Sequence, residues 1–299
     1  MKKLKLASKI QLMPHNLHCW IIIPFIIILI NLKSIEMYSQ TSLATIESEM
    51  VLVEGGTMAM DHGGVTKQVL LTDYYISKYE TTQRLWQEVM GDNPASFKDP
   101  LKPVEQVDWY SCVVFCNELS LLSARTPRYY KDIACSLPIT KADYAGGGVS
   151  IPFTSYELES ANGYRLPLET EWQYAASGGT KTQGYTYSGS NTIDEVAWYT
   201  GNNTPNGTKQ VGRLKANELG LYDMSGNVYE WNFCVYGSQQ SWTQECGDLG
   251  SGSGAFRRRR GGFWAISAIG CATAYDNGFI DTPVRRSNDI GLRLAASSQ

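Results

Sequence analysis

Thiols have the widest chemical reach of any side chains in this 299-residue chain, because a thiolate serves as nucleophile, redox centre or soft metal ligand. Cys271 has the most distinctive setting: it follows Arg257 to Arg260, the pair Gly261-Gly262 and the run Phe263-Trp264-Ala265-Ile266. The other cysteines past the N-terminal region are Cys112, Cys116, Cys135, Cys234 and Cys246, and their spacing imposes no disulfide pairing. Cys112 and Cys116 share a helical pattern, where burial on one face accounts for them better than a bond across a turn. No Cys-x-x-Cys or paired-histidine motif points to zinc, and every histidine lies at or before His62. Paired carboxylates, a serine nucleophile with its base and a phosphate loop are also missing from the pattern. Gly146-Gly147-Gly148 runs into Val149-Ser150 and reads as a flexible turn.

The elements that must position Cys271 come from a chain with 43% hydrophobic and 18% charged residues, enough to bury a sizeable core. A formal charge of -3 with one basic run is no footprint for nucleic acid. Lys2, Lys3, Lys5 and Lys9 precede the apolar run Trp20 to Ile30, and a polar zone ends near Ser39. That is the layout of a secretory signal over residues 1–39, so export is expected, with cleavage near Ser39. The run is interrupted by Pro24 and falls short of the about 20 residues that a membrane-spanning helix needs; an uncleaved anchor is the alternative.

Met50 to Met58 reads as a short strand entering a glycine turn, and Val69 to Ser77 as its hairpin partner. Leu85, Trp86, Val89 and Met90 recur at helical spacing after a threonine cap and before Gly91. A second helix is expected over Trp109 to Leu122 and a third from Arg165 to Ala176, capped by Thr170. Lys131 to Gly163, rich in glycine and serine, predicts loop and short strands. Beyond the third helix, turn residues and aromatics dominate, as in irregular structure pinned by large side chains. Alternation along a strand would turn two of the four arginines inward to carboxylates and two outward.

Six segments in order resemble the formylglycine-generating enzyme, or sulfatase-modifying factor, family: Tyr74 to Thr82, Pro103 to Trp109, Tyr164 to Pro167 with Glu171-Trp172, Gly220 to Trp231, Gly261 to Trp264, and Gly291 to Leu294. The resemblance implies an α+β, C-type-lectin-like domain over residues 50–298, with short strands, about three helices and much irregular structure. It also implies where activity would sit. Active members hold copper through two cysteines after the glycine pair and oxidise a substrate cysteine. In that register the second falls on Cys271 and the first on Ile266, while Phe263 replaces a serine. Isoleucine offers copper no donor, so copper is not expected and Cys271 is catalytic only under the alternative reading: an oxidoreductase of this type pairing it with Cys234 or Cys246. An iron-dependent sulfoxide synthase would need histidines that the chain lacks after His62.

The same resemblance places a structural calcium ion in the loop Asp223 to Glu230, held by the side chains of Asp223 and Glu230 and the carbonyls of Gly226 and Val228. Hard oxygen donors on a turn suit calcium; a glutamate salt bridge beside a solvated aspartate is the competing reading. A second family calcium site is expected to be lost at Trp198. From Ala265 onward there is no Lys, Glu, Met or Trp, and Gln appears once, at Gln299. These types make up about a fifth of average composition, so chance gives this absence at well under ~1%. They are also the residues that AAC or AAT codons cannot reach by changing their adenines. The pattern resembles retroelement-diversified lectin-fold proteins of this scaffold. That reading assigns an unknown protein or carbohydrate ligand to a surface of Ala265, Ile266, Ser267, Ile269, Gly270, Asp276, Gly278, Phe279, Ile280 and Asp281, completed by Phe263, Trp264 and Tyr275. Its alternative is a non-catalytic member whose tail happens to lack lysine.

Overall fold

A computed structural model describes residues 45–62, 65–144, 156–235, 256–275 and 280–298. The expected leader, with its apolar run, lies outside them. Met50–Val53 (β1) forms as expected, but its partner segment divides. Gly56–His62 (β2) and Val65–Leu71 (β3) make a hairpin with Gly56 opposite Leu71. Tyr74–Ser77 (β4) instead pairs with β1, Met50 opposite Ser77. One strand over Val69 to Ser77 therefore does not exist. Asp73 accounts for the break: its Oδ1 accepts the Gly55 N–H at 2.8 Å and ties the two crossing points together. A Cβ at Gly55 would lie 2.4 Å from the Leu71 carbonyl oxygen, so only glycine fits there.

Gln83–Met90 (α1) starts where Thr82 Oγ1 accepts the Leu85 N–H and stops where Gly91 turns left-handed at φ 90°. Trp109–Leu122 (α2) is capped by Asp108, which accepts the Ser111 N–H at 2.8 Å. It ends at Ser123 because Ala124 adopts φ 53°, before Pro127 is reached. Most of α2 is buried, on every face, which is why its apolar residues show little periodicity. Tyr129–Tyr130 (β5) pairs with Tyr156–Glu157 (β6), and Tyr164–Arg165 (β7) leads into Glu169–Ala176 (α3). Thr170 is not the cap of α3 but its second residue. The capping position is Leu168, whose N–H is received by Glu171 Oε2 at 2.9 Å, so the acid folding back does the work expected of the threonine.

Ala197–Trp198 (β8) and Ser225–Gly226 (β9) pair in parallel. Tyr229–Val235 (β10), Arg257–Arg260 (β11), Ile280–Asp281 (β12) and Ile290–Gly291 (β13) form a second sheet in the order β12-β11-β10-β13. Ala295–Ser297 (β14) enters the first sheet between β4 and β7, giving β1-β4-β14-β7. Helix α3 packs against β3, β10 and β11, and Trp172 and Tyr174 join Val53, Leu71, Tyr74, Ile76, Leu221 and Met224 in a buried core. The described residues are thus α+β with short strands, few helices and long irregular connections, as the motif resemblance implies.

Two of the arginines turn inward to a carboxylate as expected, but the other two do not face solvent, because both faces of β11 are covered. Arg258 Nε and Arg260 Nη2 each reach a Glu169 oxygen at 2.9 Å. Arg259 turns to Asp281 at 3.3 Å, with Asp289 at 3.9 Å. The Arg257 guanidinium lies 4.2 Å from the centre of the Trp109 ring, a cation–π contact. Burial lowers its pKa to about 10.

Candidate functional site

Two glycines explain how the chain reaches Cys271. Gly261 and Gly262 take φ 97° and 80°, and a Cβ on Gly262 would meet the Cys271 Sγ at 2.9 Å. The pair is needed for the turn and for the close passage of backbone over sulfur. Cys271 itself is 0% exposed, like Cys112 and Cys116, and all three are free thiols, as is the half-buried Cys135. Burial pushes the Cys271 thiol up to about 12. Its carbonyl accepts the Ser225 hydroxyl at 2.8 Å, and Ile266 packs beside it against Gly270. The side chain of Cys234 and the whole of Cys246 lie outside the described residues.

Around the loop from Asp223 to Glu230, three left-handed residues, Asp223 at φ 58°, Gly226 at 82° and Asn227 at 61°, fold the backbone tightly. Gly226 is obligatory, since a Cβ there would sit 2.3 Å from the Trp198 carbonyl oxygen. Glu230 is fully buried between Arg293, whose Nη2 donates to Oε1 at 2.8 Å, and Trp172, whose Nε1 donates to Oε2 at 2.5 Å. Asp223 is buried too, not solvated, and its Oδ2 accepts the Gly212 N–H at 2.6 Å. Burial raises its pKa to about 6.

Glu80 completes this cluster and was not among the expected ligands, although it lies inside the first of the six motifs. Its oxygens accept the Asn227 side-chain amide at 2.6 Å and the Val228 N–H at 3.1 Å. Burial, then the charges of Asp223 and Glu230, drive its pKa well above the usual carboxylate range. Three buried carboxylates thus face one guanidinium, Arg293. Among the described residues, no group of three or more His, Cys, Asp or Glu side chains is placed to hold a metal. A cation here would therefore draw on main-chain carbonyls such as those of Gly226 and Val228.

The segment after β11 presents a mixed surface. Ala265, Ser267 and Ile269 are exposed, Ile269 at 62%. Phe263, Trp264, Ile266, Tyr275 and Ile280 are half-buried, and Gly270 is buried. Trp264 is anchored: its Nε1 donates to the Asn288 carbonyl at 3.1 Å and its ring meets Phe97 edge-on, with centroids 5.5 Å apart. Asp281 is committed to ion pairs with Arg259 and with Arg285 at 3.0 Å. Asp276, Gly278 and Phe279 lie outside the described residues. The segment is suspended largely from main-chain bonds: Trp264 N–H to Asn227 O, Thr200 N–H to Ile266 O, Thr273 N–H to Thr186 O and Gln106 N–H to Ser287 O.

Residues 38–298 match the family described as "Sulfatase-modifying factor enzyme 1-like domain". The chain is 41% identical over 276 residues to a protein named Chaperone protein LppX from Paenibacillus barcinonensis, covering 87% of this chain and 93% of that one. It is 30% identical over 148 residues to the Inactive C-alpha-formylglycine-generating enzyme 2 of Bos taurus, spanning 46% of this chain and 45% of the relative. A solved structure, Treponema denticola variable protein 1, superposes with a TM-score of 0.68 at 32% identity, over 83% of this chain and 95% of that one.

Proposed function

The chain belongs to the sulfatase-modifying factor enzyme 1-like family, and we propose that within it this protein is an exported, non-catalytic ligand-binding protein. Its contact surface is the segment 263–289. The observation that carries the reading is the burial of Cys271. The family's oxidase chemistry needs two thiolates to hold copper, whereas here one position is Ile266 and the other a buried, protonated thiol. In that register the residues present, Ile266 and Cys271, do not fit copper. A relative named inactive and a solved neighbour named variable protein support the same direction. The relative named chaperone favours a polypeptide over a carbohydrate as the ligand.

Export rests on the leader-like residues 1–39. Among the described residues no helix is long and apolar enough to cross a membrane. Calcium belongs to the proposal as a structural ion at Asp223, Gly226, Val228 and Glu230, with Glu80 beside them. Burial and neighbouring carboxylates disfavour the charged forms of Glu80 and Asp223, and a divalent cation would hold both charged.

Three measurements test these statements. Titrating purified protein with copper(I), with Cys271→Ser as control, gives no stoichiometric thiolate binding and no oxygen consumption; tight copper with oxygen uptake overturns the non-catalytic reading. Calcium added to chelator-treated protein raises the melting temperature, as binding at 100 times Kd contributes about 2.7 kcal/mol; an unchanged melting temperature removes calcium. Diversification of the segment requires a nearby near-copy of its coding sequence differing only at adenines, and without one that part fails.

A further inference from the structure

The site shares Arg286 with the segment proposed above, but its other lining residues lie outside residues 263–289. A cleft of 230 Å³ opens between the C-terminal end of α1, the N-terminal end of α2, the turn at residues 141–144 and Arg286. Its floor is apolar and close-packed. Trp86 and Val107 are 2% and 1% exposed, and Trp86 is stacked on Phe115 with centroids 4.9 Å apart. Met90 and Pro94 extend the apolar wall.

The other wall is cationic. Asp108, already the cap of α2 through one oxygen, uses Oδ2 to accept the Tyr144 hydroxyl at 2.5 Å and Arg286 Nε at 2.9 Å. Arg286 Nη2 also bonds the Tyr144 oxygen. Asp108 thereby fixes the guanidinium by one edge, while the arginine side chain stays 42% exposed. Lys141 forms no ion pair among the described residues; its Nζ donates to the Val89 carbonyl at 2.5 Å, which parks the ammonium at the cleft mouth. Two cations thus border a slot of mixed lining, with Gln106 and Ser111 beside the apolar groups and Asp92, which accepts the Trp86 Nε1–H at 3.3 Å, as its exposed lining carboxylate.

We propose that this cleft binds a monocarboxylate carrying an apolar body of about one amino-acid side chain, the carboxylate between Arg286 and Lys141 and the body over Trp86. The volume supports the size: drug-sized ligands occupy ~300 to 1,000 Å³, and a cavity of ~150 Å³ admits benzene. The charge supports the headgroup, because a guanidinium held by one edge offers its remaining N–H groups in a fork that matches a carboxylate. Such a ligand is available as the C-terminal residue of a polypeptide or as a free amino acid.

The test uses the full chain and isothermal titration with N-acetyl-phenylalanine, its carboxamide and free phenylalanine. Saturable binding of N-acetyl-phenylalanine is expected, with the amide weaker by about tenfold or more, as for a lost hydrogen bond to a charged group. Lys141→Gln weakens the acid by a similar factor and leaves the melting temperature unchanged; Met90→Trp, which fills the slot, abolishes binding of both. Preference for N-acetyl-phenylalanine over phenylalanine identifies a chain terminus as the source, and the reverse a free amino acid. Equal affinity for acid and amide, or no binding by the folded protein at millimolar concentration, overturns the proposal. Neither result bears on the surface at Ala265 to Ile269, which Met90→Trp leaves intact.

Discussion

A thiol pushed up to about 12 by burial holds roughly one part in ten thousand as thiolate at pH 8, so Cys271 is chemically silent while the protein is folded. Cys112 and Cys116, shifted upward by the same cause, share that silence, whereas Cys135 is half-buried on a turn. Brief alkylation of native protein at pH 8, read by peptide mass spectrometry, is expected to modify Cys135 ahead of these three, and all four equally after denaturation. Early modification of Cys271 would reveal an open, reactive site. The residue scale is also where the sequence misleads most. Glu80 looks like one polar residue in a motif, yet it shares a buried cluster with Asp223 and Glu230, far along the chain. Pairings over such separations leave no local periodicity to read.

Among the elements, α3 carries more charge organisation than its length suggests. Glu169 pairs with Arg258 and Arg260, Glu171 with Arg165 at 2.6 Å, and Trp172 bonds Glu230. Glu169→Gln leaves two guanidinium groups buried without their counter-charge and is expected to cost ~3 to 5 kcal/mol, measured by denaturant unfolding. Thr82→Ala, by contrast, removes only the cap of α1 and costs ~1 kcal/mol. Helix boundaries are legible where a cap is local: Thr82 with Gly91 marks α1 in the sequence itself, and the start expected at Trp109 is the one that Asp108 caps. The start of α3 was misread because the acid at Glu171 reaches back to Leu168, and Thr170 merely resembles a cap. On the arginine strand the inward pair, Arg258 and Arg260 to Glu169, is legible from alternation. The cover over the other pair is not, since no local pattern marks a strand with no wet face.

For the whole molecule, the decisive pairing joins distant parts of the chain: β14 lies between β4 and β7, with Ala295 opposite both Ile76 and Arg165. Deleting residues 295–299 removes an inner strand of the first sheet and exposes Tyr74 and Ile76. The truncated chain is expected to lose cooperative thermal unfolding, seen by circular dichroism, since pairings of such long range supply little until all are formed. Retention of a sharp transition would show that β1 and β4 suffice. The six ordered motifs made this architecture readable without any local prediction of β14, a strand of three small residues that no propensity rule marks.

The suspension of the segment after β11 from main-chain groups has an evolutionary consequence. Every amino acid except proline brings the same N–H and C=O, so the bonds that hold the path at Trp264, Ile266, Thr273 and Ser287 do not depend on which side chains stand between them. Replacements at Ala265, Ser267 and Ile269, whose side chains point into solvent, therefore meet a nearly flat fitness landscape for folding, and selection there is left to act on what the protein touches.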